Sequence, residues 1–127
     1  MTVLAKVDGS MEASIASTFD VLGWEIELAG ARCIYLDKLI GDLMPTIPDE
    51  HRQALMEGMH AVDLLSQHLT SLSAFARRMS DSVPAEVSAP VDAAIGEITL
   101  GDLADRMATA FGAQEREAEE HGELDLF

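Results

Sequence analysis

The chain contains one cysteine, Cys33, so no disulfide can form within a single copy. That cysteine falls on an apolar helical stripe, where a buried thiol in a reducing compartment is the expectation. Aromatic residues make up only 5% of the sequence. With Ala, Leu and Met abundant, this favours helix over sheet. Positive charge is also scarce: 8 Lys and Arg stand against 23 Asp and Glu, a formal net charge of −15. Such a surplus disfavours nucleic acids and anionic membranes and favours basic or metal-containing partners. No apolar run approaches the ~20 residues needed to span a bilayer. No basic segment followed by an apolar run opens the chain, so a cytoplasmic location is expected. Glycine-rich phosphate loops, a Gly-x-Ser-x-Gly elbow and a His-x-x-x-His pair are missing. His51, His60, His68 and His121 are too scattered to suggest a metal site, so neither a metal nor a cofactor of its own is expected. Neither His60 nor His68 is followed by the Lys-Gly pair expected of a phosphoacceptor histidine.

What the sequence does contain is helical periodicity. From Met11 to Leu43 apolar residues recur at Ile15, Phe19, Leu22, Ile26, Ala29, Cys33, Leu36, Ile40 and Leu43, an unbroken alternation of four and three. Val21, Trp24, Leu28, Ala31 and Tyr35 form a second stripe, so this helix is expected to have neighbours on two sides. Gly23 and Gly30, seven apart, allow a close helix approach. Pro45 and Pro48 end the helix. Asp49 and Glu50 then place negative charge at the start of a second helix, which runs to about Val83. Its expected seam is Leu55, Gly58, Val62, Leu65, Leu69, Leu72, Ala76, Met79 and Val83.

Two helices of similar length joined by a few residues predict an antiparallel hairpin. The uncovered second stripe predicts a homodimer that closes a four-helix bundle, with the remaining chain folding back over the stripe as the competing expectation. The expected fold is therefore all-α. Its parts are a lead over 1–9, a hairpin over 10–84, a connector and short helix over 85–112, and an acidic tail over 113–127. Thr99 is the expected cap of the short helix, with Leu103, Met107, Ala110 and Phe111 on one face. Thr99 to Ala104 resembles the start of a helix-turn-helix unit, but no basic recognition helix follows.

Within the second helix Asp63 and Gln67 are four residues apart, one turn apart on one face. They are expected to point about 140–180° from the seam. His60, Ser71, Arg78, Met56 and Ala74 share that side. It carries less charge than an ordinary solvated helix face and suits docking. Gln67 cannot serve as an acid or base, but an amide can hold a water with its carbonyl oxygen and steady charge with its NH₂. Hydrolysis of a phosphoryl group depends mainly on such positioning and on electrostatic support. Asp63 could anchor a partner by pairing with a lysine.

Asp63-Leu64-Leu65-Ser66-Gln67 resembles the Asp-Leu-Thr-Gly-Gln core of CheZ, the chemotaxis phosphatase that dephosphorylates the receiver protein CheY. A Met-rich run before it (Leu55 to Met59) and Arg77-Arg78-Met79 after it extend the resemblance. Gly122-Glu123-Leu124-Asp125-Leu126-Phe127 is similar to the short acidic, Leu-rich terminus with which that family tethers the receiver. The size is close to that of the small CheZ-like CheT proteins. The resemblance implies a hairpin dimerising into a four-helix bundle. It also implies that Gln67 orients the attacking water and that Asp63 pairs with the receiver's lysine. Leu124, Asp125, Leu126 and Phe127 would dock the tail, and the Mg²⁺ would belong to the receiver. Two other expectations stand beside this one. One is a non-catalytic adaptor that uses the same face and tail to bind a receiver or another chemotaxis protein. The other is sliding-clamp binding through Glu123 to Phe127, which resembles the clamp motif with Glu in place of Gln.

Overall fold

The computed structural model describes residues 11–112. The expected lead over 1–9 and the acidic tail with Leu124, Asp125, Leu126 and Phe127 lie outside the described residues. In order, the elements are β1 (Glu12–Ser14), α1 (Ile15–Leu43), a 3₁₀ turn (Met44–Thr46), α2 (Asp49–Ser82), β2 (Ser88–Pro90) and α3 (Asp92–Gly96). A further helix, α4, covers 101–112. The chain is thus mostly helical, as its composition predicts. The all-α expectation is corrected by one small antiparallel sheet, in which Glu12 faces Pro90, Ala13 faces Ala89 and Ser14 faces Ser88.

The first helix starts at Ile15 rather than Met11 because Ser14 caps it. The Ser17 amide donates to Ser14 Oγ at 3.0 Å, satisfying one of the free N–H groups of the first turn. Thr18 Oγ1 donates to the Ser14 carbonyl at 2.9 Å. The residues just before the cap are claimed by β2. At the other end, Thr46 Oγ1 donates to the Leu43 carbonyl at 2.6 Å, and Arg52 Nε donates to the Ile47 carbonyl at 3.0 Å. Arg52 also pairs with Asp49 at 3.0 Å, so one side chain ties the turn to the first turn of α2.

The described chain forms two compact units. One is Leu22–Arg77, and the other joins residues up to Val21 with those from Arg78 onward. In the second unit Ala13, Val21, Val91 and Phe111 form a buried cluster, against which Met11, Ile95, Met107 and Ala110 pack. Phe111 is only 2% exposed and anchors α4 there. Leu100, rather than Thr99, holds the cap position of that helix: its carbonyl accepts from the amides of Leu103 and Ala104, each at 3.1 Å. Ser80 Oγ donates to the Ala16 carbonyl at 2.7 Å.

In the Leu22–Arg77 unit α1 and α2 run antiparallel. Ser73 Oγ donates to the Gly23 carbonyl at 2.9 Å, Gly30 lies against Leu69, and Gly41 lies against Met59. The helix seam differs from the expected one. Of the expected α2 positions, Leu55, Val62, Leu69, Ala76 and Met79 are buried or half-buried, and Met59, Ser66, Ser73 and Ser80 join them. Gly58, Leu65 and Leu72 were expected there but are exposed, the two leucines at 47% and 52%. The reason is backbone proximity. A Cβ on Gly23 would meet Arg77 Cγ at 3.2 Å and Ala76 Cβ at 3.4 Å. Glycine and serine let the two backbones approach, and a leucine at either position would hold them apart.

Candidate functional site

Moving the seam changes where Asp63 and Gln67 point. They lie on the flank of the hairpin, about 90–130° from the occupied seam, rather than on its far side. There the two side chains are joined: Gln67 Nε2 donates to Asp63 Oδ2 at 3.1 Å. Both residues are exposed. The geometry follows from helical spacing, since residues four apart stack on one face. With its NH₂ committed to the carboxylate, the Gln67 carbonyl oxygen is left as an acceptor facing solvent. Asp63 Oδ1 accepts no hydrogen bond among the described residues, so one carboxylate oxygen remains for a donor from outside.

Asp63 also lines a shallow hollow of about 360 Å³ with Asp37 of α1 and with Met56, Met59 and His60 of α2. Of the expected docking residues, Met56 and His60 are therefore brought to Asp63. Ser71 is exposed and lines neither this hollow nor the next. Asp37 has no ion-pair partner among the described residues and is half-buried. Two carboxylates walled by two thioethers, with the His60 imidazole at the same hollow, form a socket suited to the head and stem of a basic side chain.

Further along the same flank a hollow of about 460 Å³ is lined by Gly30, Ala31 and Ile34 of α1 and by Thr70, Ser73 and Ala74 of α2. Arg77 and Glu27 also line it and form an ion pair with each other. Thr70 and Ala74 stand seven residues beyond Asp63 and Gln67, so the two hollows and the Asp63–Gln67 pair share one face of α2.

The family model described as Domain of unknown function (DUF8776) matches residues 22–127. The chain belongs to that family. The matched span takes in the whole Leu22–Arg77 unit, including Asp63 and Gln67. No curated protein and no solved structure matches the chain. Among the described residues of this DUF8776 member, no group of three or more His, Cys, Asp or Glu side chains could hold a metal ion. None of its described helices is long and apolar enough to cross a membrane.

Asp37 was not singled out by sequence reasoning, yet a signal for it exists. Gly23 and Gly30 stand seven residues apart on α1, as Ser66 and Ser73 do on α2, and Asp37 stands seven residues beyond Gly30. Small residues at heptad spacing mark the closely packed seam, and Asp37 continues their row.

Proposed function

We propose that this protein is a CheZ-like component of bacterial chemotaxis signalling. It binds a phosphorylated CheY-type receiver and promotes hydrolysis of its aspartyl phosphate. The observation that carries the reading is the hydrogen bond from Gln67 to Asp63 on an exposed helix face. An amide steered by a neighbouring carboxylate presents its carbonyl oxygen in a fixed direction, as the positioning of an attacking water requires. The water adds to phosphorus as the bond to the receiver's aspartyl oxygen breaks. Inorganic phosphate leaves, and the receiver's carboxylate is restored. Gln67 orients that water, and Asp63 uses its remaining oxygen to pair with the receiver's lysine. The Mg²⁺ that screens the phosphoryl oxygens belongs to the receiver. In this reading Met56 and His60 lie under the docked receiver, and the C-terminal Leu124, Asp125, Leu126 and Phe127 tether it. The protein acts in the cytoplasm as a homodimer with a four-helix bundle.

The reading is tested by titrating the protein into a CheY-type receiver held in its phosphorylated form by beryllofluoride. Binding that weakens on Asp63→Ala supports it, and equal binding to the phosphorylated and unphosphorylated forms counts against it. The apolar residues on the same flank, Met56 and Ile34 among them, also suit a second reading, an adaptor that holds the receiver without hydrolysing its phosphate. Tight binding with unchanged phosphate lifetime would select the adaptor.

A further inference from the structure

The hollow of about 360 Å³ takes most of its lining from one helix: Met56, Met59, His60 and Asp63 of α2. Along each edge of that four-residue cell the spacing is three or four, so neighbouring Cβ atoms stand about 5–6 Å apart. A methionine that only fills a gap in a core is buried, but Met56 is 48% exposed. Met59 is half-buried. Its Cε lies 3.7 Å from where a Cβ on Gly41 would stand, which holds the thioether over the gap between α1 and α2. His60 is exposed and forms no hydrogen bond or ion pair with another described residue, so its ring nitrogens are open to a ligand. Asp37 closes the hollow from α1. We propose that Met56, Met59 and His60 bind a soft monovalent metal ion, Cu(I), at this hollow.

The donors select the ion. Thioether sulfur is a soft, neutral ligand that suits Cu(I) and is passed over by Mg²⁺ and Ca²⁺, which take oxygen. An imidazole beside two thioethers completes a three-donor set. Zn²⁺ is held by thiolate, imidazole and carboxylate donors, and no three His, Cys, Asp or Glu side chains among the described residues come together to hold an ion. His51, His60, His68 and His121 alone are too scattered for a site; the two sulfurs beside His60 supply the missing donors. Asp37 and Asp63 place negative charge at the hollow, in a chain of net charge −15, and so draw a cation toward it. Cys33 lines neither hollow, so the site is built without a thiol. An ion seated there would occupy the surface proposed for the receiver. That consequence rests on the receiver reading, whereas metal binding does not, so a failed receiver leaves the metal site standing.

Competition for Cu(I) against bicinchoninate, without oxygen and with ascorbate present, tests the site. The full chain is used with Cys33→Ser, because a thiol would bind Cu(I) by itself. One Cu(I) per chain is expected, with Zn²⁺ binding far more weakly. Met56→Leu with Met59→Leu keeps the size and apolar character of both side chains and removes both sulfurs. Affinity for Cu(I) is expected to fall by about 100-fold or more, beyond the ~10–100-fold cost of disturbing a ligand's support. His60→Gln is expected to weaken binding as well, and His68→Gln, outside the hollow, to leave it unchanged. Circular dichroism checks that each variant keeps its helicity. Ag(I), a redox-inert stand-in, gives a second measurement that needs no variant of the site. Of the seven methionines, Met56 and Met59 are expected to show the shifts in their Cε methyl NMR signals. No Cu(I) taken from the competitor would overturn the proposal. So would binding that survives loss of both sulfurs, Zn²⁺ bound as tightly as Cu(I), or methyl shifts confined to other methionines.

Discussion

Gln67 Nε2 donates to Asp63 Oδ2 at 3.1 Å across one turn of an exposed helix. Each residue limits the other's freedom, and each retains one oxygen for an outside group. This pairing separates the roles of the two side chains. Gln67→Ala removes the water-orienting amide and leaves the carboxylate. Receiver binding is expected to change little, while hydrolysis falls by about 10²–10³-fold, the scale of deleting one positioned polar group from a transition state. Stopped-flow binding beside phosphate release measures both. The fold is not at stake, since an exposed substitution of this kind shifts stability by about 0.5 kcal/mol or less.

Asp63→Asn keeps an acceptor for Gln67 but loses the charge. Receiver affinity is expected to fall by roughly 10–100-fold, the worth of a charge-assisted hydrogen bond of about 1.5–3 kcal/mol. Titration at two salt concentrations checks the cause. The wild-type complex should weaken with salt by more than the Asp63→Asn complex. An equal salt response would place the receiver's basic group elsewhere.

The seam makes a prediction of opposite signs at two glycines. A Cβ on Gly58 would meet nothing within 4 Å, so Gly58→Ala should stabilise the helix by about 1 kcal/mol. At Gly23 the space is taken by Arg77 and Ala76. Gly23→Leu should destabilise by about 1–3 kcal/mol through overpacking, despite leucine's better helix propensity. Urea denaturation of the two variants reads both signs.

How much of this was legible in the sequence differs by element. Periodicity and prolines were sufficient for the two long helices, because Pro45 and Pro48 stop one and the acids at Asp49 and Glu50 start the next. The strand at Glu12–Ser14 was not legible, since it depends on residues 88–90 far along the chain, and three residues leave no periodicity to read. The seam was misread for a physical reason. A three/four spacing of apolar residues took in Leu65 and Leu72 and passed over the polar Ser66 and Ser73, although Gly23 and Gly30 on the facing helix already pointed to a close approach that favours small side chains. The Asp63–Gln67 pair was legible because its four-residue spacing is local. Asp37 was not, because reaching the same hollow depends on how α1 sits against α2.

The buried end of the other unit gives a stability test independent of function. Phe111 closes the cluster of Ala13, Val21 and Val91. Phe111→Ala should cost about 3–5 kcal/mol, the usual range for emptying a buried aromatic site. Ser14→Ala, which removes the helix cap, should cost about 1 kcal/mol. Thermal and urea unfolding of the two variants would rank them in that order.

The central claim is tested most directly by the lifetime of a phosphorylated CheY-type receiver mixed with a substoichiometric amount of this protein, beside the same mixture with Gln67→Ala. The account predicts that wild type shortens the lifetime through many turnovers and that the variant, though still bound, leaves the receiver's own decay rate unchanged. A receiver that binds the wild-type protein and decays no faster than it does alone would contradict it.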